Sequence, residues 1–295
     1  MSVVVIVGPT ASGKSALALR AAERIGGEIV AADSRQVYRG MDIGTAKPSA
    51  AERRRVRHHC IDLVDPGERY DAARYQHDGR AALADIAARG KTAYVVGGTG
   101  LYVRALLDGL VLAAAPTDPD LRARLEARAV PESGASLHRE LAAIDRAGAE
   151  RVDPRNVRRV VRYLEIALLA GRVPTERGER IGGPRLGLDP PRAWLDARID
   201  ARVRQMIDTG VLEETRQLIG RGLDPRLPSM TGHGYLHWVA HLRGDLTLDA
   251  AIAATARDVR AYSRRQMTWF RRDPDVRWVD PTSTDPLALL EPAAV

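Results

Sequence analysis

The chain has 295 residues, enough to bury a substantial core as one large domain or as two domains of unequal size. Its 45 lysines and arginines outnumber its 38 aspartates and glutamates, and the formal charge of +7 favours a polyanionic partner. Cys60 is the only cysteine, which excludes an intramolecular disulfide and a cysteine-rich zinc site. No apolar run approaches the roughly 20 residues of a membrane span. We therefore expect a soluble, unprocessed, cytoplasmic protein.

The first predicted strand, Val3 to Gly8, leads into G-P-T-A-S-G-K-S and then into a helical pattern. This spacing is typical of a P-loop, whose backbone N–H groups surround phosphate oxygens at the positive end of a helix. Lys14 adds a point charge, and the Ser15 hydroxyl can bind a Mg²⁺ that bridges phosphate oxygens. A glycine-rich turn without a ligand is the alternative. The predicted phosphate-binding residues are Gly8, Pro9, Thr10, Ala11, Ser12, Gly13, Lys14 and Ser15.

Three short apolar or β-branched runs have helical patterns between them, and each is followed by turn-forming residues. They are Val3 to Gly8, Glu28 to Ala32 and Ala93 to Gly97, and Ile61 to Val64 is a further candidate strand. This alternation predicts βα units of a parallel sheet whose ligand lies at the carboxyl ends of the strands. We therefore predict an α/β fold with a P-loop NTPase-like parallel sheet flanked by helices.

The second run ends in A-A-D-S-R-Q-V-Y, which places Asp33 and Ser34 at the same edge of the sheet as the P-loop. Asp33 has two candidate chemical roles: it can hold Mg²⁺, or it can act as a general base toward a nucleophile. A turn or helix N-cap is the structural alternative. After the third run, the glycines around Thr99 permit close approach of the backbone. The Thr99 hydroxyl can reach a ligand, cap a helix, or do both.

From Pro116 onward the pattern is helical, and no strand-like segment follows until about Leu186 to Leu188. We predict that residues 1–115 form the first part of a P-loop core, residues 116–183 an all-helical insertion, and residues 184–295 the second part of the core with basic C-terminal helices. In the insertion, Asn156 to Leu169 has an apolar face and a basic face. The apolar face contains Val157, Val161, Leu164 and Leu168, and the basic face Arg155, Arg158, Arg159 and Arg162. Nucleic-acid contact and simple solvation both remain open for this face.

The last third of the chain predicts helices at Pro191 to Thr209, Leu212 to Arg221, Tyr235 to Leu242 and Leu248 to Phe270. The end of the last helix interleaves arginines with an amide, a hydroxyl and an indole. Such a surface clamps phosphates and stacks bases, which suits single-stranded or looped RNA. Alternatively, Met267 and Trp269 anchor a basic helix to the core. The polar residues are Arg257, Arg260, Arg264, Arg265, Gln266, Thr268, Arg271 and Arg272.

Taken together, these stretches resemble the tRNA dimethylallyltransferase family, also called tRNA isopentenyltransferases, over nearly the whole chain. One departure is G-H-G-Y at Gly232 to Tyr235, where the family more often has an apolar residue in place of His233. The matching blocks are the P-loop, D-S-x-Q-x-Y at Asp33 to Tyr38, M-D-I-G-T-A-K-P at Met41 to Pro48, G-G-T-G-L-Y at Gly97 to Tyr102, R-x-x-R-A-L-E at Arg159 to Glu165 with Tyr163 replacing Ala, and A-K-R-Q-x-T-W-F at Ser263 to Phe270.

The resemblance implies transfer of a dimethylallyl group from its diphosphate to N6 of the adenine beside the anticodon of tRNA. Because no stretch of the sequence looks like a dimer interface, we expect a monomer. Asp33 would accept the proton from the amino group, while Thr10, Lys14 and Mg²⁺ at Ser15 would stabilise the departing diphosphate. Arg198 or Arg202 would also reach the diphosphate. The residues implied in binding the anticodon stem-loop are Asp33, Ser34, Arg35, Gln36, Thr99, Arg122, Arg158, Arg159, Arg162, Arg264, Arg265, Gln266, Thr268 and Arg271.

Three alternative functions use some of the same residues. A small-molecule or nucleotide kinase would bind ATP at the P-loop and turn it over. An isopentenyltransferase acting on free adenine nucleotides would need the P-loop and Asp33 but not the helical insertion. In a non-catalytic RNA-binding module, replacement of Asp33 would change no activity.

Overall fold

The computed structural model describes residues 2–112, 116–175, 178–232 and 234–290, except for the side chains of residues 130–133. The chain forms two units, Met1–Asp108 with Arg180–Val295, and Gly109–Glu179. From the sequence we placed the boundaries of the insertion at residues 116 and 183. His233, in the G-H-G-Y departure, lies outside the described residues.

The first unit contains a six-stranded sheet in which every neighbouring pair of strands is parallel. Numbered along the chain as given below, the strands lie in the order β3-β2-β4-β1-β5-β6. This confirms the predicted α/β fold, because a parallel sheet needs helical crossovers between its strands. The strands are β1 Val3–Val7, β2 Glu28–Ala31, β3 His58–His59, β4 Ala93–Gly97, β5 Arg185–Leu188 and β6 Val276–Val279.

Two strand predictions need correction. The third strand is His58–His59 rather than Ile61 to Val64. Cys60 and Asp62 adopt positive φ angles of 60° and 53°, which interrupts an extended backbone, and Val64 forms only an isolated bridge to Tyr38. The sequence analysis did not predict the edge strand β6, because V-R-W-V contains an arginine and only its first residue is buried, so it forms no continuous apolar run.

Helices cover both faces of the sheet, so neighbouring residues of β1 lie in different cores. Val5 and Val7 belong to the larger core, whereas Ile6 packs in the smaller one with Leu17 of the first helix. The helices of this unit are α1 Lys14–Arg24, α2 Ala50–Arg55, α3 Ala72–Ala88, α4 Gly100–Leu107, α8 Arg192–Asp208, α9 Val211–Gly220, α10 Tyr235–Leu242 and α11 Leu248–Phe270. The four helices predicted for the last third correspond to α8, α9, α10 and α11.

The second unit is helical throughout its described residues and consists of α5 Pro119–Ile144, α6 Arg146–Glu150 and α7 Val157–Ala170. Leu125 and Leu141 of α5 pack against Val161 and Leu164 of α7 in a separate apolar core. The predicted apolar face of α7 was partly wrong, because Leu168 is 43% exposed while Ala167 is buried. None of the helices in the described parts of either unit is both long and apolar enough to cross a membrane.

Candidate active site

The P-loop turn connects the end of β1 to the start of α1 through residues in unusual backbone conformations. Gly8 and Gly13 have φ angles of 145° and 97°, and Ala11 has a φ of 66°. A Cβ at Gly8 would stand 2.9 Å from the Leu188 carbonyl oxygen and 3.2 Å from Ser12 Oγ. Ser12 is buried, and its hydroxyl has no hydrogen-bond partner among the described residues. An unpaired polar atom inside such a loop fits a site whose remaining partner is an anion.

Three cationic side chains surround this loop. Lys14 Nζ donates to the Pro9 carbonyl at 3.2 Å, and Arg198 Nε donates to the Ala11 carbonyl at 3.0 Å. Arg198 also lies over the Trp194 ring, 4.6 Å from its centroid. The guanidinium of Arg202 has no acceptor within the described parts of the chain. Burial and the neighbouring charge of Arg198 lower its pKa, because both disfavour the charged form. A bound anion would offset both effects.

The pKa of Lys14 is lowered to about 8, chiefly by burial and in smaller part by Arg202, against the opposing effect of Asp33. Protonated Lys14 attracts diphosphate, so its contribution to affinity should be nearly complete about one pH unit below 8 and should fall as the pH rises through that value. We expect pyrophosphate affinity, measured by calorimetry between about pH 7 and 10, to fall more steeply for the wild type than for Lys14→Arg, which stays charged. Parallel pH profiles would contradict this expectation, because ionisation of pyrophosphate itself affects both proteins equally.

Asp33 follows β2 and lies at the same edge of the sheet as the P-loop. Its Oδ1 accepts a hydrogen bond from the Arg35 backbone N–H at 2.9 Å, so the turn role proposed from the sequence is present. Its Oδ2 has no partner in the described structure and is therefore available for chemistry. The charge of Asp33 raises the pKa values of both Lys14 and Tyr262, so the phosphate loop and α11 are both within its electrostatic reach.

Thr99 joins the loops that follow β2 and β4. Its Oγ1 accepts from the Ser34 backbone N–H at 3.0 Å, and its own N–H donates to the Ala32 carbonyl at 3.1 Å. It occupies the N-cap position of α4, and its carbonyl accepts from the Val103 N–H, but its side chain makes no capping hydrogen bond. Thr99 also bonds to the hydroxyl of Tyr262. These hydrogen bonds connect the loop that carries Asp33 to the loop after β4 and to α11.

Gln266 links the P-loop to the loop after β4. Its Oε1 accepts from the Thr10 backbone N–H at 2.8 Å, and its Nε2 donates to the Gly98 carbonyl at 3.0 Å. The side chain is buried, so both ends of its amide are used within the protein. Contact of Gln266 with RNA remains a prediction, whereas its role in holding the phosphate loop is visible. Tyr262, one turn earlier on the same helix face, was missed, although its i, i+4 spacing from Gln266 was a usable signal.

Gly98 and Gly100 are glycines because α11 packs directly against them. A Cβ at Gly98 would stand 2.0 Å from Gln266 Nε2, and one at Gly100 would stand 2.0 Å from the Trp269 ring. We expect Gly98→Ala to displace Gln266, to lower the free energy of unfolding by about 1–3 kcal/mol and to weaken pyrophosphate binding. Gly220→Ala is the matched control, since an added Cβ there meets no described atom within 4 Å. Equal stability and affinity of the two variants, by thermal unfolding and calorimetry, would refute this.

Other residues predicted to bind RNA from this unit are held in different ways. The Arg35 guanidinium donates to the Pro228 and Ser229 carbonyls, and Gln36 Nε2 donates to the Thr45 and Ala46 carbonyls, both at 3.3 Å. Both side chains therefore order neighbouring loops.

The exposed end of α11 presents a groove of about 380 Å³ lined by Arg264, Arg265, Trp269 and Arg272. The Trp269 indole is 41% exposed, which contradicts a purely buried anchor. Thr268 Oγ1 donates to the Arg264 carbonyl at 3.0 Å, and Arg271 pairs with Asp189 at 2.8 Å.

In the helical unit, Arg122 and Arg162 form ion pairs with Glu165 at 2.7 and 2.8 Å. Glu165 is fully buried, so these two arginines neutralise an interior carboxylate. Arg158 is exposed, and Arg159 is exposed beside Tyr163, whose hydroxyl accepts from its guanidinium at 2.9 Å. The basic face of α7 thus divides into structural and available arginines.

A protein-family sequence model described as IPP transferase matches residues 36–273 of the chain. The chain belongs to the IPP transferase family. A model described as isopentenyl transferase matches residues 1–64, which include the P-loop and Asp33. The family resemblance inferred from the sequence is therefore confirmed, and with it the assignment as a prenyltransferase.

Relatives and solved structures of this family match almost the whole chain. A tRNA dimethylallyltransferase from Anaeromyxobacter dehalogenans is 52% identical and one from Thermomicrobium roseum 48%, covering 98% and 95% of this chain and 98% and 86% of theirs. The crystal structure of tRNA isopentenylpyrophosphate transferase from Bacillus halodurans is 39% identical, with a TM-score of 0.72, over 98% of this chain and 93% of that one. A eukaryotic dimethylallyltransferase acting on tRNA is 27% identical, with a TM-score of 0.78, over 96% of this chain and 74% of that one.

Proposed function

We propose that this chain transfers a dimethylallyl group from dimethylallyl diphosphate to N6 of the adenine adjacent to the anticodon of tRNA, and releases diphosphate. The observation that carries the proposal is the position of Asp33 at the same edge as the phosphate loop. Among the described residues, one Asp33 carboxylate oxygen, the Ser12 hydroxyl and the nearby Arg202 guanidinium have no hydrogen-bond partner. Asp33 as a proton acceptor and the P-loop as a binding site for the departing anion therefore lie at the same edge of the sheet. The tRNA dimethylallyltransferases that it resembles support the choice of substrates.

Departure of the allylic group leaves negative charge on the diphosphate. The backbone N–H groups of the P-loop, Lys14 and Arg202 are placed to stabilise that charge as it develops. Ser15 is exposed in the first turn of α1 and could hold Mg²⁺ together with substrate oxygens. The described residues contain no cluster of three or more acidic, histidine or cysteine side chains able to hold a metal, which suits an ion bound mainly through phosphates. Bound Mg²⁺ would supply further charge stabilisation.

The adenine amino group is a weak nucleophile because its lone pair is delocalised into the ring. We assign Asp33 as the base that accepts one of its protons while the new C–N bond forms and the bond between the allylic carbon and the diphosphate oxygen breaks. The target base must leave its stack to reach Asp33. Ser34 and Thr99, which are hydrogen-bonded to each other beside Asp33, form the wall against which it would rest.

Phosphates of the RNA would contact the exposed arginines, namely Arg158 and Arg159 of α7 and Arg264 and Arg265 of α11. We expect Arg159→Ala and Arg265→Ala each to weaken binding of an anticodon stem-loop and to reduce the slope of log K against log salt by about 0.7–1. Pyrophosphate affinity should not change.

Two control variants sharpen this prediction. Arg226 is 90% exposed and pairs with Asp224, so Arg226→Ala should leave the salt slope unchanged. Arg122→Ala should instead lower stability, because it leaves buried Glu165 with fewer counter-charges. An unchanged slope in both Arg159→Ala and Arg265→Ala would exclude these phosphate contacts.

The function is tested by incubating the protein with labelled dimethylallyl diphosphate and an anticodon stem-loop, AMP or ATP. Label in the stem-loop alone supports the proposal. Label in AMP alone indicates an isopentenyltransferase for free nucleotides, and ATP turnover without prenyl transfer indicates a kinase. No transfer to any acceptor indicates an RNA-binding module. A cytoplasmic location and a monomeric state remain predictions, the latter testable by light scattering.

A further inference from the structure

A cavity of about 450 Å³ lies next to the proposed reaction site, within the sheet-containing unit. It is bounded by the loop after β2, the residues before α10, and the facing sides of α10 and α11. It shares Ser34 and Arg35 with the edge that carries Asp33, and Tyr262, which also lines it, interacts electrostatically with Asp33. Cavities of this size accommodate small ligands such as a nucleobase with its ribose. The proposed reaction requires no group from α10.

The residues that line the cavity include a histidine hydrogen-bonded to a carboxylate. His237 Nε2 and Asp258 Oδ2 are 2.8 Å apart. A carboxylate only accepts hydrogen bonds, so Nε2 of His237 donates to Asp258, and Nδ1 is the acceptor of the neutral ring. Asp258 therefore selects one tautomer and fixes the orientation of the ring. With Nδ1 held in a fixed position, His237 can accept a hydrogen bond from an N–H group of a ligand.

The remaining walls match the other parts of a nucleotide. Leu236, which is 43% exposed, and Tyr262 both line the cavity, and the Arg265 guanidinium lies 5.7 Å from the centroid of the Tyr262 ring. Arg265 has no acceptor among the described residues, so it can bind a phosphate. Aromatic and apolar surface for stacking, a free guanidinium and a fixed hydrogen-bond acceptor are the components with which proteins hold single-stranded RNA.

We propose that this cavity binds the base of a nucleotide that neighbours the target adenine, and that His237 accepts a hydrogen bond from that base. Asp258 acts as a positioning residue. The proposal rests on the proposed function, because extrusion of the target base at Asp33 brings the adjoining nucleotides of the same strand to the edge formed by Ser34 and Arg35. His237 then contributes to the choice of RNA and not to the chemical step.

The test is a double-mutant cycle between protein and RNA. Anticodon stem-loops are made intact or abasic at the position 5′ or 3′ of the target adenine, and their dissociation constants are measured with the wild type and with His237→Ala. At one position, loss of the base should weaken wild-type binding by on the order of tenfold and binding to His237→Ala by a much smaller factor. At the other position the two proteins should lose equally. Equal losses at both positions would overturn the proposal.

Further variants separate this role from a structural one. His237→Asn, whose amide oxygen replaces Nδ1 as an acceptor, should recover part of the coupling, whereas Asp258→Asn should reduce it. His77→Ala, an exposed histidine of α3, should behave as the wild type. Pyrophosphate affinity should be the same for all. Failure of the wild type to prenylate the intact stem-loop would refute the proposed function itself; prenylation with additive losses would refute only the base-binding cavity.

Discussion

Asp33→Asn should lower the rate constant of prenyl transfer by about 10²–10⁴-fold while leaving affinity for dimethylallyl diphosphate close to that of the wild type. The amide has nearly the same shape and can still accept the Arg35 N–H bond, so the turn should survive. What is lost is a group able to take the proton from the adenine amino group. Single-turnover transfer with saturating stem-loop measures the chemical step directly.

The same variant distinguishes the two chemical roles left open by the sequence. If Asp33 bound Mg²⁺, Asp33→Asn would weaken diphosphate binding in the presence of the metal, and higher Mg²⁺ would restore activity. As a control, Asp208→Asn changes an exposed carboxylate at the end of α8 and should be silent. A normal transfer rate in Asp33→Asn would remove Asp33 from the mechanism.

Lys14→Ala should act by a different route and chiefly weaken diphosphate binding. Lys14 belongs to a cluster of three cations, in which Lys14 and Arg198 each donate one hydrogen bond to a loop carbonyl and keep further N–H groups for the anion. Loss of one preorganised charge should lower the transfer rate by a further factor of about 10²–10³, because the charge on the leaving group is greatest in the transition state. Calorimetry with pyrophosphate and single-turnover kinetics give the two effects separately.

Lys91→Ala is a matched control for that experiment. Lys91 precedes β4 and pairs with Glu28 at 3.0 Å, at the amino end of the sheet. Its loss removes the same charge from the protein without approaching the phosphate loop, and should leave pyrophosphate affinity intact. Arg202→Ala should resemble Lys14→Ala. Equal loss of diphosphate affinity in Lys14→Ala and Asp33→Asn would contradict the separate roles assigned to the two residues.

The exposed arginines and the buried ones could not be told apart from the sequence. Arg122 and Arg159 both occur on amphipathic helices, yet one neutralises Glu165 in the interior and the other lies at the surface. The difference depends on which carboxylate lies opposite, and that is set by the packing of α5 on α7. The role of Gln266 could not be predicted either. An amide side chain among arginines suggests an RNA contact, but in the structure both ends of this amide are hydrogen-bonded within the protein, to Thr10 and Gly98.

The sequence by itself determined the P-loop, the strands around it and the position of Asp33, because each depends on local spacing: a buried run, a glycine turn and a helix start that must follow one another along the chain. It also determined the family, since six blocks occur in order. Only the tertiary structure decided which cations remain free for the diphosphate, why Gly98 and Gly100 have no side chain, and that His237 faces a cavity beside Ser34. These features join segments far apart in the chain, so their physical cause is contact across the fold rather than periodicity within one element.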